Sequence, residues 1–445
     1  MSVSISASSY VCNESTPVIA VKITPGSLDP MSARRPFHLA MLLDTSGSMA
    51  GERITALCRT LHLLVDSLRE HDVLTLITYH SIAHVRANCT EITSESRPQL
   101  HTIIDAVRAE GGTNMEAAIS ELLVMGTDAS KPAIDAVFIL TDGHINSGMT
   151  SSSGLLRLLQ NQINRGIPIN TLGYGSDHNS RLLRDMALRS HGTYTFADAN
   201  EVLPAIIGDI MGGLESEIGR CTKLTIPEGW TCIELQTSGE IGTLIAEKTQ
   251  WLVMTGAGPL PHELKLTWTS ATGDQTATCA VDSSIPMLEV VEQYERCCVA
   301  KVFSDITEDI EAFRISEAKA KLQTLAAKLA TSPAKDTTFV IRLQAQVDDM
   351  IESLKPMDLP AAVAGRPPGL ARTNSFGPDF FGLGGVPSVA PVVSRLASNT
   401  TVLGNQRGIS YGGRGGGISP ALFSSPSQRS ASDRMTQAYQ EHEHA

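Results

Sequence analysis

The chain has 445 residues, 42% of them hydrophobic, which leaves room for roughly two or three domains with at least one sizeable core. Its 35 basic and 47 acidic residues give a net charge of −12, which argues against a general nucleic-acid binder held by phosphate contacts and favours a basic or cationic partner. The eight cysteines form no C-x-x-C pair, so zinc ribbons and RING-type sites are excluded and a reducing compartment fits.

The first residues, MSVSISASSYVCNES, have neither the basic start nor the apolar core of a signal peptide. No apolar run is long enough to span a bilayer, so a cytoplasmic protein is expected. Residues 2–24 (SVSISAS, then PVIAVKIT) alternate as sandwich strands do, and residues 1–35 are read as the opening strands of a sandwich.

From Phe37 apolar runs alternate with amphipathic stretches, the pattern of a parallel sheet covered by helices. The strands are FHLAMLL, DVLTLITY with IAHVRAN behind it as a hairpin, AIDAVFIL, PINTLGYG and GTYTFAD. In the first helix Ile54, Leu57, Leu61, Leu64, Val65 and Leu68 recur at helical spacing, and further helices fall near 99–108, 115–124, 154–165, 181–189 and 202–214. AMLL and AVFIL are almost wholly apolar, as strands covered on both faces must be. Residues 36–216 are therefore read as a doubly wound, mostly parallel, Rossmann-like α/β domain.

Residues 217–285 change texture, with short alternating segments (KLTI, CIELQ, WLVM, ELKLTWT, TATCAV) between Gly, Pro and Asn or Asp turns, which predicts an antiparallel β-sandwich. Strands of the same texture on both sides of the α/β unit imply that it is inserted into the sandwich. Cys12, Cys221, Cys232 and Cys279 fall in strand-like segments and Cys58 in a helical one, where buried free thiols are expected. Residues 286–358 read as a helical hairpin broken at Ser332-Pro333. The Gly-, Ser- and Pro-rich residues 359–445 read as a mostly disordered tail, with kinase-like triplets at Ser375 and Ser432.

The chemistry concentrates at MLLDTSGSMAGERI, where Asp44, Ser46 and Ser48 leave a buried strand just before a helix. In an open α/β fold that carboxyl edge is where ligands bind. Two later loops match it: GGT gives Thr113, and ILTDG gives Asp142 at the end of its strand. Two carboxylates and three hydroxyls are hard oxygen donors, too few for a tight all-protein calcium cage but suited to Mg²⁺, which keeps some water ligands. A cation neutralised in part by its own protein attracts an outside anion.

Asp and Ser also shape turns and cap helices, and Thr113–Glu116 reads as a T-x-x-E capping box; capping and ligation can coexist at one residue. His144 reads as an exposed loop histidine, and His442 and His444 as solvated ends.

DTSGS, then GGT, then TDG after an apolar strand resembles the metal-ion-dependent adhesion site of von Willebrand factor A domains. That resemblance implies that Asp44, Ser46, Ser48, Thr113 and Asp142 hold Mg²⁺ or Mn²⁺ and that an Asp or Glu of a protein partner completes the shell. The region C-terminal to the domain is similar to that of plant ubiquitin ligases of the wavy-growth family, in which a sandwich and helices come after the A domain. Those ligases carry a RING finger ahead of the A domain, whereas here 36 residues with Cys12 alone precede it, so the binding role transfers and the ligase chemistry does not.

The expected function is a metal-dependent protein-interaction module or adaptor, not an enzyme. A ubiquitin-pathway accessory protein or a metal-assisted hydrolase is the alternative. The chain contains no H-E-x-x-H, G-x-S-x-G or P-loop, and DTSGS has no second D-T-G partner of the kind an aspartic protease needs.

Overall fold

The computed structural model describes residues 2–354, apart from 13–15, 29–33, 127, 129, 176–177, 198–199, 236–238 and 283, together with residue 393 and residues 424–443. Every residue of β3 (His38–Asp44), β4 (Val73–Tyr79) and β6 (Ala136–Thr141) is buried, because helices cover both faces of the sheet they form. With β5 (Ala83–Glu91), β7 (Ile169–Tyr174) and β8 (Tyr194–Ala197) the order is β5-β4-β3-β6-β7-β8, and β5 alone runs antiparallel.

Alternate residues of β3 serve opposite cores. Leu39, Met41 and Leu43 pack with α1 (Glu52–Ser67), α2 (Ser96–Asp105) and α7 (Leu203–Glu215). Ala40 and Leu42 pack with α3 (Met115–Met125), α4 (Ser152–Leu158) and α6 (Ser180–Arg189). The helix expected over 154–165 is two pieces, α4 and α5 (Gln160–Asn164), which meet at Leu159.

The second unit is built from β1 (Val3–Cys12), β2 (Thr16–Pro25), β9 (Glu217–Leu224), β10 (Trp230–Cys232), β11 (Glu240–Ile245), β12 (Gln250–Gly256), β13 (Glu263–Ser270) and β14 (Gly273–Asp282). Its order is β10-β12-β2-β1-β14-β13-β9-β11. β2 pairs with β12 along six residues, and β1 meets β14 in a short parallel contact at Ala7–Val281 and Ser8–Asp282. Strands from before and after the α/β domain thus share one sheet system and one core, and the domain is inserted between them. The segment expected as a CIELQ strand leaves the sheet after Cys232, and a strand not expected, β11, pairs with β9 at the opposite end of the order. Of the expected buried thiols, Cys232 is buried, Cys58 and Cys279 are half-buried and Cys221 is exposed; the Cys12 side chain lies outside the described residues.

Three helices follow rather than a hairpin: α8 (Met287–Glu311), α9 (Ile315–Ala330) and α10 (Thr338–Leu354). The extra reversal comes at Phe313, whose φ of 57° breaks the helix with neither Gly nor Pro to mark it. The reading of 359–445 as mostly disordered falls, with Ser375 and His444, outside the described residues over most of its length. Its last part differs: Pro426–Glu443 forms α11, packed on α7 and α1.

Candidate metal centre

The sheet order reverses between β3 and β6. The chain winds outward from β3 through β4 to β5, then returns to β6 and winds the other way, which opens a crevice at the carboxyl ends of those two strands. The parallel register Leu43–Leu140 sets Asp44, the last residue of β3, beside Thr141 and brings Asp142 just past it.

Short bonds fix the loops. Thr45 donates its backbone N–H (2.7 Å) and its hydroxyl (3.1 Å) to Tyr79 O, Gly47 N–H donates to Gly111 O (3.0 Å), and Glu110 N–H donates to Thr45 O (2.8 Å). Gly111 has φ of 69°, and a Cβ there would stand 2.8 Å from Ser81 Oγ, so the G-G-T loop needs glycine at that point. Thr113 N–H donates to Asn146 Oδ1 at 2.8 Å. Asn114, not Thr113, caps α3 by accepting from Ala117 N–H, and Glu116 accepts from Met149 N–H instead of closing a capping box.

All five expected residues converge. Asp44 Oδ1 accepts from Ser46 N–H (2.8 Å), Ser46 Oγ and Ser48 Oγ share a hydrogen bond (3.0 Å), and Ser48 Oγ donates to Asp142 Oδ1 (2.8 Å). A Cβ built on Gly143 would lie 3.5 Å from Ser48 Oγ and 3.9 Å from Thr113 Oγ1, which places the Thr113 hydroxyl at the same edge. Among the described residues, that hydroxyl makes no hydrogen bond. His144 is exposed, as expected.

Three contributors were not legible beforehand. Thr141 Oγ1 donates to Asp44 Oδ2 at 2.6 Å, and Tyr79 accepts the Thr45 bonds through its backbone. Arg53 Nη1 donates to Asp142 Oδ2 at 2.7 Å, with its guanidinium carbon 5.7 Å from the Tyr174 ring centre. Arg53 follows the motif directly in GERI, so its charge near two carboxylates was the available signal.

Asp44 is 0% and Asp142 1% exposed. Burial pushes the Asp44 carboxyl up from its ordinary value; hydrogen bonds from Thr141 and Ser46 oppose this, and the charge of Asp142 adds to it. Two buried acids and three hydroxyls at one point, with Arg53 alone among the described residues paired to them as a cation, fit a small hard cation. Among the described residues no three His, Cys, Asp or Glu side chains gather as a metal site, so ligation here would depend on the hydroxyls.

A family model described as von Willebrand factor type A domain matches residues 38–196. The uncharacterized protein YfbK of Escherichia coli is 29% identical over 192 residues, covering 42% of this chain and 33% of that protein. Inter-alpha-trypsin inhibitor heavy chain H3 of Homo sapiens is 25% identical over 197 residues, covering 41% of this chain and 22% of that one. The chain thus spans about a third or less of the length of these relatives.

Among solved structures, a von Willebrand factor type A protein from Catenulispora acidiphila has TM-score 0.59 at 15% identity, over 81% of this chain and 91% of that one. The ArnB paralog VWA2 from Sulfolobus acidocaldarius has TM-score 0.54 at 16% identity, over 79% and 97%. These likenesses reach beyond the α/β unit into the strands and helices around it. The chain carries a von Willebrand factor type A domain at residues 38–196.

Proposed function

We propose that the chain is a metal-dependent protein-interaction module, an adaptor without catalytic activity of its own. The observation that supports this reading best is the meeting of Asp44, Ser46, Ser48, Thr113 and Asp142 at the switch point of the sheet. They would hold Mg²⁺ or Mn²⁺. The bound ion supplies a positive charge that an Asp or Glu of a partner can approach.

The rest of the chain's chemistry is positioning. Thr141 and the Ser46 N–H hold the Asp44 carboxylate, Ser48 orients Asp142, and the Tyr79 carbonyl fixes the loop between them. A hydrolase would also need a general base aimed at a reacting atom beside the ion, and every acid in this cluster is assigned to ligation. No helix among the described residues is long and apolar enough to cross a membrane, and the setting we propose is the cytoplasm.

Affinity capture from native extract, with Mg²⁺ or EDTA and with wild type or a Ser46→Ala, Ser48→Ala double variant, tests the reading. Proteins lost both on chelation and in the variant are the expected result. The same proteins bound in all four conditions would contradict it.

A further inference from the structure

α11 lies antiparallel on α7 at a separation that only glycine permits. A Cβ on Gly208 would stand 2.6 Å from Ser432 Cα, and one on Gly212 would stand 2.5 Å from Gln428 Cα. Ordinary helix pairs keep their axes about 8–10 Å apart because side chains intervene, and here there are none on one side. The seat is also polar-specific. Ser424 Oγ donates to Asp209 Oδ1 (2.9 Å), Gln428 Nε2 donates to Asp209 Oδ2 (3.3 Å), and Lys248 Nζ donates to Gln428 Oε1 (3.3 Å).

The other end of α11 enters the apolar core that also covers the residue after Ser48. Met435 and Tyr439 are buried in the cluster that holds Leu203, Ile206 and Ile207 of α7 and Met49, the residue next to Ser48. Tyr439 lies under Arg59 of α1, whose guanidinium carbon is 5.1 Å from the ring centre, and Tyr174 belongs to the same buried cluster. Tyr174 in turn seats Arg53, the cation on Asp142. α11 and Arg53 are thus linked through one apolar core, which holds both Tyr439 and the Tyr174 ring that lies beneath Arg53.

We propose that α11 is a detachable strap: docked on α7, it holds Arg53 against Asp142 and weakens cation binding, and its release frees the site. This rests on the reading of the site as a metal centre. The point of release is Ser432, buried against Gly208, with Arg429 three residues before it. A phosphate on Ser432 has no room while α11 is docked, because it would bring charge and bulk into a contact made by bare backbone. By reciprocity, a cation that favours the released state also loosens the strap.

The test uses the full chain, Mn²⁺ titration by electron paramagnetic resonance, and hydrogen exchange over 426–443. Ser432→Glu is expected to lose protection over 426–443 and to bind Mn²⁺ about tenfold more tightly, within the usual range of coupling between sites. Tyr439→Ala keeps the Gly208 and Gly212 contacts, is expected to shift Mn²⁺ affinity in the same direction, and carries the test if Ser432→Glu fails to fold. In wild type, Mn²⁺ is expected to reduce protection over 426–443.

A Ser432→Glu chain that keeps its protection, or one that releases α11 with Mn²⁺ affinity within twofold of wild type, overturns the proposal. So does an unchanged affinity in Tyr439→Ala. If wild type binds no more Mn²⁺ than Asp44→Asn, the metal reading itself fails and the strap falls with it.

Discussion

Arg53 and Asp142, 89 positions apart in sequence, form a 2.7 Å ion pair whose acid is wholly buried and whose base is 36% exposed. The pair joins the start of α1 to the loop after β6 at the point where the sheet reverses. It also gives the centre an internal cation, so an ion bound there as we propose would have to compete with a guanidinium for one carboxylate.

Replacing Arg53 with Met leaves Asp142 buried beside Asp44 without its counter-charge. Breaking a fully buried pair costs about 3–5 kcal/mol, and the exposure of Arg53 reduces that to roughly 1–3 kcal/mol. Thermal unfolding in EDTA is expected to show the loss and Mg²⁺ to restore more stability than in wild type. Equal Mg²⁺ effects in the two proteins would count against a cation at Asp142.

Thr113→Val separates ligation from folding. The Thr113 hydroxyl supports no other group among the described residues, so removing it is expected to change stability in EDTA by no more than about 0.5 kcal/mol. Partner capture in Mg²⁺ should fall sharply. A large loss of stability with capture intact would reverse the assignment.

Asp209 gives a pH signature to the α7–α11 contact. Burial raises its carboxyl above the ordinary 3.8, with Lys248 and Ser424 opposing. Since the folded value is the higher one, the contribution to stability is complete below the unfolded pKa and is lost as pH rises through the folded one. In Asp209→Asn this slope disappears. Urea midpoints followed upward in pH from the ordinary carboxylate range should fall in wild type relative to Asp209→Asn, and parallel curves would contradict the account.

Much of the α/β domain could be read from the sequence because runs such as AMLL and AVFIL are buried on both faces, and burial of that kind leaves a mark in composition. The five candidate ligands were legible for a related reason: each lies at the end of such a run or in a glycine-marked loop. Arg53 and Thr141 were not, since their roles depend on which strands become neighbours, and β3 meets β6 only through the sheet order. α11 was hidden because only Met435 and Tyr439 of its buried face are large and apolar, while Gln428, Ala431 and Ser432 are polar or small residues that read as solvated chain until Gly208 and Gly212 are seen opposite. The reversal at Phe313 carries no breaker residue, and β11 contains Gly242, which weakens a strand pattern.

Calorimetric titration of the full chain with Mg²⁺ and Mn²⁺, beside Asp44→Asn and the Ser46→Ala, Ser48→Ala double variant, with folding of each checked by thermal unfolding in EDTA, tests whether these residues hold a cation. Saturable binding at one site per chain is expected in wild type, and its loss in both variants, with all three proteins folded. Equal binding in all three, or none in wild type, would contradict that expectation.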